Sequence, residues 1–330
     1  MARGKSLLNA ASVAVPFSIL LLAGLMSSCA SMGSPATDRP LAVPEDLATL
    51  DTWLSDSESR YPDMRPGVAK GIVWANPEQK DKTPFSIIYL TGYTATRGEM
   101  APAPDLVARG IGANLFYTRL KGHGLGPDAH RDVTAQDWIY DSLEALRIGE
   151  RLGDRVVVMA CSNGGTLAAW LATGAYSSQI ALMILASPNF TPMNKTAELL
   201  LWPGNELILK LASGDYTRFK VYNELQERYW DYHHHSHSLL AMMRMVDLAR
   251  NVDFRKWTIP TLVFYDKEDQ VVDESVTVRL MSRAPNVTFK EVSGTGDPQH
   301  HVLAGEAKSP GYTETFAKSC IDYIQKRLGG

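Results

Sequence analysis

Short apolar runs rich in β-branched residues alternate with helical patterns along most of the chain, and this alternation restricts the fold more than any other feature. The runs span 71–74, 86–91, 113–118, 155–160, 180–186, 261–265 and 287–292. Several are apolar throughout rather than at alternate positions, as strands covered on both faces should be. A helix is predicted over 134–152, where Thr134 and Asp137 have the spacing of a capping box, and a last one over about 312–328. Such alternation predicts an α/β fold with a mostly parallel central sheet flanked by helices. It stops after Asn189. Residues 190–257 carry no strand pattern, only helical segments with aromatics such as Trp202, Phe219, Tyr222 and Trp230. An insertion of that length returning to a strand predicts a helical lid over the sheet.

The composition fits a globular domain: 45% of residues are hydrophobic and 21% charged. A net charge of -3 gives no electrostatic reason to expect nucleic acid. The first residues differ from the rest. Arg3 and Lys5 precede an apolar stretch over about 10–26 that contains Pro16 and Ser18, too short and interrupted for a good transmembrane helix of ~20 apolar residues. A charged start, an apolar middle and small residues form the layout of an export signal. Its end, Leu25-Met26-Ser27-Ser28-Cys29, resembles a bacterial lipoprotein signal, in which Cys29 is lipidated and becomes the new N-terminus. Cleavage nearby without lipid is the alternative. The predicted organisation is a signal over 1–28, a tether over 29–44 and one domain over 45–330, with the lid at about 190–257. With Cys29 lipidated, only Cys161 and Cys320 remain, so this is not a disulfide scaffold.

The chemistry concentrates around "VVVMACSNGGTLAAWLA". A strand ending at Ala160 and a helix starting near Gly164 place Ser162 at the tip of a sharp turn, where the serine backbone is strained and its hydroxyl exposed above the sheet. The positions two before and two after must be small, and Ala160 and Gly164 are. A serine needs a base to take its proton, and the base needs an acid to orient it. "LVFYDKEDQVVDE" supplies Asp266 at a strand end, Glu268 towards solvent, Asp273 as a helix cap, and Asp269 in mid-loop, the favoured acid. "GDPQHHVLAG" supplies His300 and His301; His301 precedes the apolar Val302-Leu303 and is the favoured base. Oxyanion donors are expected from the backbone N–H of Asn163 and, beyond Gly92, of Tyr93.

The segments "YLTGYTA", "TRLKGHG", "GDRVVVMACSNGGTLAAW", "DKEDQVV" and "HHVL" together resemble the α/β-hydrolase superfamily, and within it the bacterial carboxylesterase and monoacylglycerol-lipase-like branch. The likeness runs over about 71–328, loosely in the lid. It implies an α/β-hydrolase fold and a serine hydrolase with Ser162, Asp269 and His301 as triad. Two departures stand out: Thr91 replaces the histidine common before the oxyanion glycine, and Ala160 replaces the first elbow glycine. The expected activity is cleavage of a small-molecule carboxylic ester, with "ELLLWPGNELILKLA" walling an acyl pocket; a serine peptidase or amidase, and a non-catalytic binding lipoprotein, are the alternatives. No cofactor, nucleic acid or obligate protein partner is expected. The expected location is the outer membrane of an exporting bacterium, facing the periplasm. His123 is expected to brace its loop. The tract "DYHHHSHS" matches no zinc spacing and reads as an exposed or lid-entrance patch, with no metal.

Overall fold

The computed structural model describes residues 41–329. The expected signal, Cys29 and the tether as far as residue 40 lie outside the described residues. The chain runs α1 (Leu47–Glu58), β1 (Gly71–Val73), β2 (Thr83–Leu90), α2 (Ala103–Ile111), β3 (Asn114–Tyr117), α3 (Ala135–Leu152), β4 (Gly153–Cys161) and α4 (Asn163–Thr173). It continues through β5 (Ile180–Ala186), α5 (Asn205–Ser213), β6 (Tyr216–Arg218), α6 (Glu224–Tyr229), β7 (His233–His235) and α7 (Ser238–Arg250). It closes with β8 (Thr261–Tyr265), α8 (Glu274–Met281), β9 (Val287–Glu291) and α9 (Thr313–Leu328).

The main sheet has the order β1-β3-β2-β4-β5-β8-β9. β1 is antiparallel to β3 and every other pair is parallel. The period of two along each strand sends neighbouring residues to opposite faces. Ile88, Leu90, Val156 and Val158 join a core with residues of α3, α4 and α7. Ile87, Tyr89, Val157, Met159 and Cys161 join another with residues of α2 and α9. Both faces are therefore dry, which is why the strands read as continuous apolar runs. α3 starts at the capping box: Asp137 N donates to Thr134 Oγ1 (3.2 Å), and Thr134 N to Asp137 Oδ2 (3.0 Å).

Between β5 and β8 the expectation of helices alone needs correction. β6 and β7 form a two-stranded antiparallel ribbon, with Thr217 opposite His234. Three-residue strands are too short to print a period of two on the sequence. The ribbon also corrects the reading of the histidine tract as an exposed or lid-entrance patch, but at His234 alone, since His233, His235 and His237 are half-buried. His234 is 1% exposed, because alternation along β7 turns it inward. Among the described residues no helix is long and apolar enough to cross a membrane.

Candidate active site

Ser162 alone connects β4 to α4. Its backbone sits at φ 49° and ψ -115°, a conformation that residues with a Cβ rarely adopt. Three backbone hydrogen bonds hold it there: Ser162 N donates to Ala186 O (3.0 Å), and Ser162 O accepts from Gly165 N (2.9 Å) and Asn189 N (3.0 Å). A Cβ at Gly164 would lie 2.1 Å from Leu90 O, so α4 can start this close to β2 only with glycine there. Ala160 pairs with Leu90 in register, and its methyl packs in the core, so alanine is accommodated at the other small position. Among the described residues the Ser162 hydroxyl makes no hydrogen bond, and it lines a cavity.

The acidic loop after β8 sorts its carboxylates by their partners. Asp269 is 2% exposed. Its Oδ1 accepts from Val271 N (2.7 Å) and Val272 N (2.9 Å), which leaves Oδ2 to meet His301 Nδ1 at 2.8 Å. The apolar Val271-Val272 pair thus supplies the two amides that fix the carboxylate. Asp266 pairs instead with His300 (3.1 Å), and Asp273 caps α8 by accepting from Val276 N (3.4 Å). Ligand atoms of Asp266, Glu268 and His300 lie within 4.8 Å of one another, a group that includes none of the histidines of the 233–237 tract.

Asp297 organises the histidine loop, and sequence reasoning missed it. Its Oδ2 accepts from His301 N (3.2 Å) and Val302 N (2.9 Å), and its Oδ1 from Gln299 N (3.2 Å) and Lys308 Nζ (3.2 Å). The available signal was an aspartate between Gly296 and Pro298, where a side chain can accept from the amides that follow. Burial opposes a proton on His301, but the carboxylates of Asp269, Asp297 and Glu99 outweigh it and raise the ring above the ordinary value of 6.5.

The loop after β2 carries the second expected donor. Neither Tyr93 N–H nor Asn163 N–H is engaged by another backbone group among the described residues, and the latter lies in the first turn of α4. Thr94 stands at φ 62°, strained for a β-branched residue. Its N–H donates to His123 Nε2 (3.3 Å) and its carbonyl accepts from Asp231 N (2.8 Å). His123 Nδ1 lies 2.8 Å from Ala95 O, so this ring holds both sides of the loop. Burial pushes His123 down to about 3 and His234 to about 4, which keeps both rings neutral at neutral pH. Tyr93 OH and Ser238 Oγ are 2.7 Å apart. The segment between β5 and β8 therefore holds the loop through Asp231 and Ser238.

Ser162, His301 and Tyr93 line one cavity of about 310 Å³. Its apolar walls are Phe219, Trp230, Met242, Val271 and Val302, with Glu99, Asn189 and Lys308 among the polar ones. This corrects the expectation that "ELLLWPGNELILKLA" walls the pocket. Trp202, Leu207 and Leu211 of that stretch are 61%, 63% and 79% exposed and none lines the cavity. The larger cavity, about 640 Å³, is lined by Glu58, Lys70, Arg119, Asp141 and other polar groups, and by none of the candidate catalytic residues.

A mostly parallel sheet with helices on both faces, and a serine on the strained turn between β4 and α4, define an α/β-hydrolase. A family model described as "Serine aminopeptidase, S33" matches residues 87–296, and the chain belongs to that hydrolase family. It is 29% identical over 98 residues to a thermostable monoacylglycerol lipase from Bacillus sp. (strain H-257); the match covers 30% of this chain and only 39% of that protein. One of the solved structures it resembles is from a study of LipS and LipT, two metagenome-derived lipolytic enzymes. The TM-score is 0.66 at 17% identity, over 80% of this chain and 99% of that one. Another is a soluble variant of the monoglyceride lipase of Saccharomyces cerevisiae, with TM-score 0.58 at 12% identity over 79% of this chain and 92% of that one. At these identities the structures establish the fold.

Proposed function

We propose that the protein is a serine hydrolase of carboxylic esters, resembling carboxylesterases and monoacylglycerol lipases, and that Ser162, His301 and Asp269 are its catalytic triad. The observation that carries this reading is that the strained, unpaired Ser162 and the Asp269-paired His301 open onto one partly apolar cavity. His301 takes the hydroxyl proton as Ser162 Oγ attacks the ester carbonyl. The oxygen of the tetrahedral intermediate is met by Tyr93 N–H and Asn163 N–H. His301 then gives its proton to the leaving alcohol, and an acyl-enzyme remains. Water, deprotonated by His301, releases the acid and restores the serine.

The family's description names an aminopeptidase, whereas the relatives' names are those of lipases. Turnover of p-nitrophenyl butyrate set against an aminoacyl p-nitroanilide separates the two. Ester turnover with Ser162 labelled by a fluorophosphonate is the expected result; anilide turnover alone would assign a peptidase, and neither labelling nor turnover would leave a binding protein.

The segment over about 190–257 acts in this reading as a lid that limits acyl length, because Phe219, Trp230 and Met242 come from it. Each buried CH₂ contributes ~0.8 kcal/mol until the cavity is full. Specificity should climb along a p-nitrophenyl ester series and break at roughly four to ten carbons, the order of magnitude for pockets of this size. Trp230→Ala should move the break to longer chains, and substitution of the exposed Trp202 should not. A profile still rising for long chains at an oil interface would point to a lipase instead.

We further propose that Cys29 carries acyl chains that hold the mature protein on an outer membrane facing the periplasm, tethered by the residues that follow. Several chains give stable anchoring where one gives only marginal binding. Mass spectrometry of the mature N-terminus should find lipidated Cys29; cleavage elsewhere without lipid would reject the anchor.

A further inference from the structure

Glu99 is a buried carboxyl group beside Ser162 that belongs neither to the triad nor to the oxyanion donors. It ends a single 3-10 turn, Arg97–Glu99, is 2% exposed and lines the cavity. Its Oε2 accepts from Gly92 N (2.8 Å) and from Tyr89 OH (2.8 Å). A Cβ at Gly92 would lie 2.4 Å from Glu99 Oε1 and 3.2 Å from Ser162 Cβ. Glycine, carboxylate and serine thus meet at one point, and only glycine leaves room for both neighbours.

Gly92 is held at both ends. Glu99 takes its N–H, and its carbonyl accepts from Ala95 N (3.2 Å). The peptide that begins with this carbonyl ends in the Tyr93 N–H, so fixing Gly92 fixes the direction of that donor. Thr91, on the other side of the glycine, gives no such support, because its hydroxyl is buried and has no partner. That is the position where the resembled enzymes commonly have histidine.

We propose that Glu99 is a positioning residue for this hydrolase: its carboxylate aims Tyr93 N–H at the developing oxyanion, and its negative charge supports the proton that His301 carries in the transition state. The inference rests on the ester-hydrolase reading. The groups facing Glu99 are Tyr89 from β2, Cys161 from β4, and His301 from the loop after β9. Asp269 and Asp297 stand around His301, with Lys308 against Asp297. Burial raises the Glu99 carboxyl above its ordinary value, and the hydrogen bonds from Gly92 and Tyr89 draw it back. A neutral amide in its place keeps the shape and removes one of the three anions around His301.

The test uses the full chain with p-nitrophenyl butyrate. Glu99→Gln should lower kcat about 10- to 100-fold, below or at the cost of losing one oxyanion donor, with KM nearly unchanged. The acid limb of its kcat/KM profile should move to lower pH. Glu99→Asp, which keeps the charge but shortens the reach, should lose kcat while its acid limb stays nearer the wild-type position. If Glu99→Gln does not fold, Tyr89→Phe, which keeps the ring and removes one hydrogen bond to the carboxylate, should still lower kcat about threefold to tenfold. A wild-type protein without ester turnover would overturn the functional reading itself. Wild-type turnover with kcat and acid limb unaltered in Glu99→Gln, or in Tyr89→Phe where that variant stands in, would overturn only the role of Glu99.

Discussion

Ser162→Ala is expected to lower kcat for ester hydrolysis on the order of 10⁶-fold and to leave the melting temperature nearly unchanged. The two halves of this result have separate causes. In the proposed mechanism this variant loses the nucleophile outright, so only binding and the oxyanion donors continue to act, a residual of about 10³–10⁴ over water in such enzymes. Stability is spared because the hydroxyl has no hydrogen-bond partner to leave unsatisfied, while the backbone bonds to Ala186, Gly165 and Asn189 do not involve the side chain. Cys161→Ala is the control. Its thiol is buried against Glu99, and burial, with the Glu99 carboxylate adding to it, pushes its pKa well up, so it is not a thiolate at neutral pH. That variant should lose packing energy, about 1 kcal/mol for a small side chain, and lower turnover far less than Ser162→Ala, because its thiol touches Glu99 and not the reacting atoms. Activity retained in Ser162→Ala and abolished in Cys161→Ala would reassign the nucleophile.

The sheet was legible because burial on both faces leaves an unbroken apolar run, as in β4 and β5, and because glycine is forced where α4 nears Leu90. The positions of Asp269 and His301 were legible for a related reason: each precedes an apolar pair that packs inward and carries the polar side chain with it. What stayed hidden depends on contacts between distant segments. Nothing in "TRGE" marks Glu99 as buried, because it is β2 and the following turn that bring Gly92 and Tyr89 against it. His234 reads as one of a polar tract, and only the pairing of β7 with β6 shows which way it faces. "ELLLWPGNELILKLA" has the composition of a pocket wall, but composition cannot say whether a segment reaches the cavity at all. The walls come instead from Phe219, Trp230 and Met242.

His301→Ala should be as severe as the serine change, because in the proposed mechanism serine and base act as one unit and removing either removes the activated nucleophile. His300→Ala should be mild. Its ring is 27% exposed on the side chain and pairs with Asp266, while the adjacent His301 pairs with Asp269, so the loop presents two histidine–aspartate pairs of which one reaches the cavity. The pH profile separates them further. A base must be neutral, so kcat/KM should rise with pH through the His301 pKa, and the raised value places that limb above the ordinary histidine range near 6.5. Protonation as pH falls through that value switches the site off. Asp269→Asn takes away the largest of the influences raising His301, so its limb should fall to lower pH even as kcat drops by about 10⁴ through loss of the correct tautomer. His300→Ala leaves Asp269, Asp297 and Glu99 in place around His301 and should leave the limb within a few tenths of a unit. Rates for the variants with p-nitrophenyl butyrate between about pH 5 and 9 decide the matter. Collapse of turnover in His300→Ala with His301→Ala still active would transfer the base to His300, and with it the orienting carboxylate from Asp269 to Asp266.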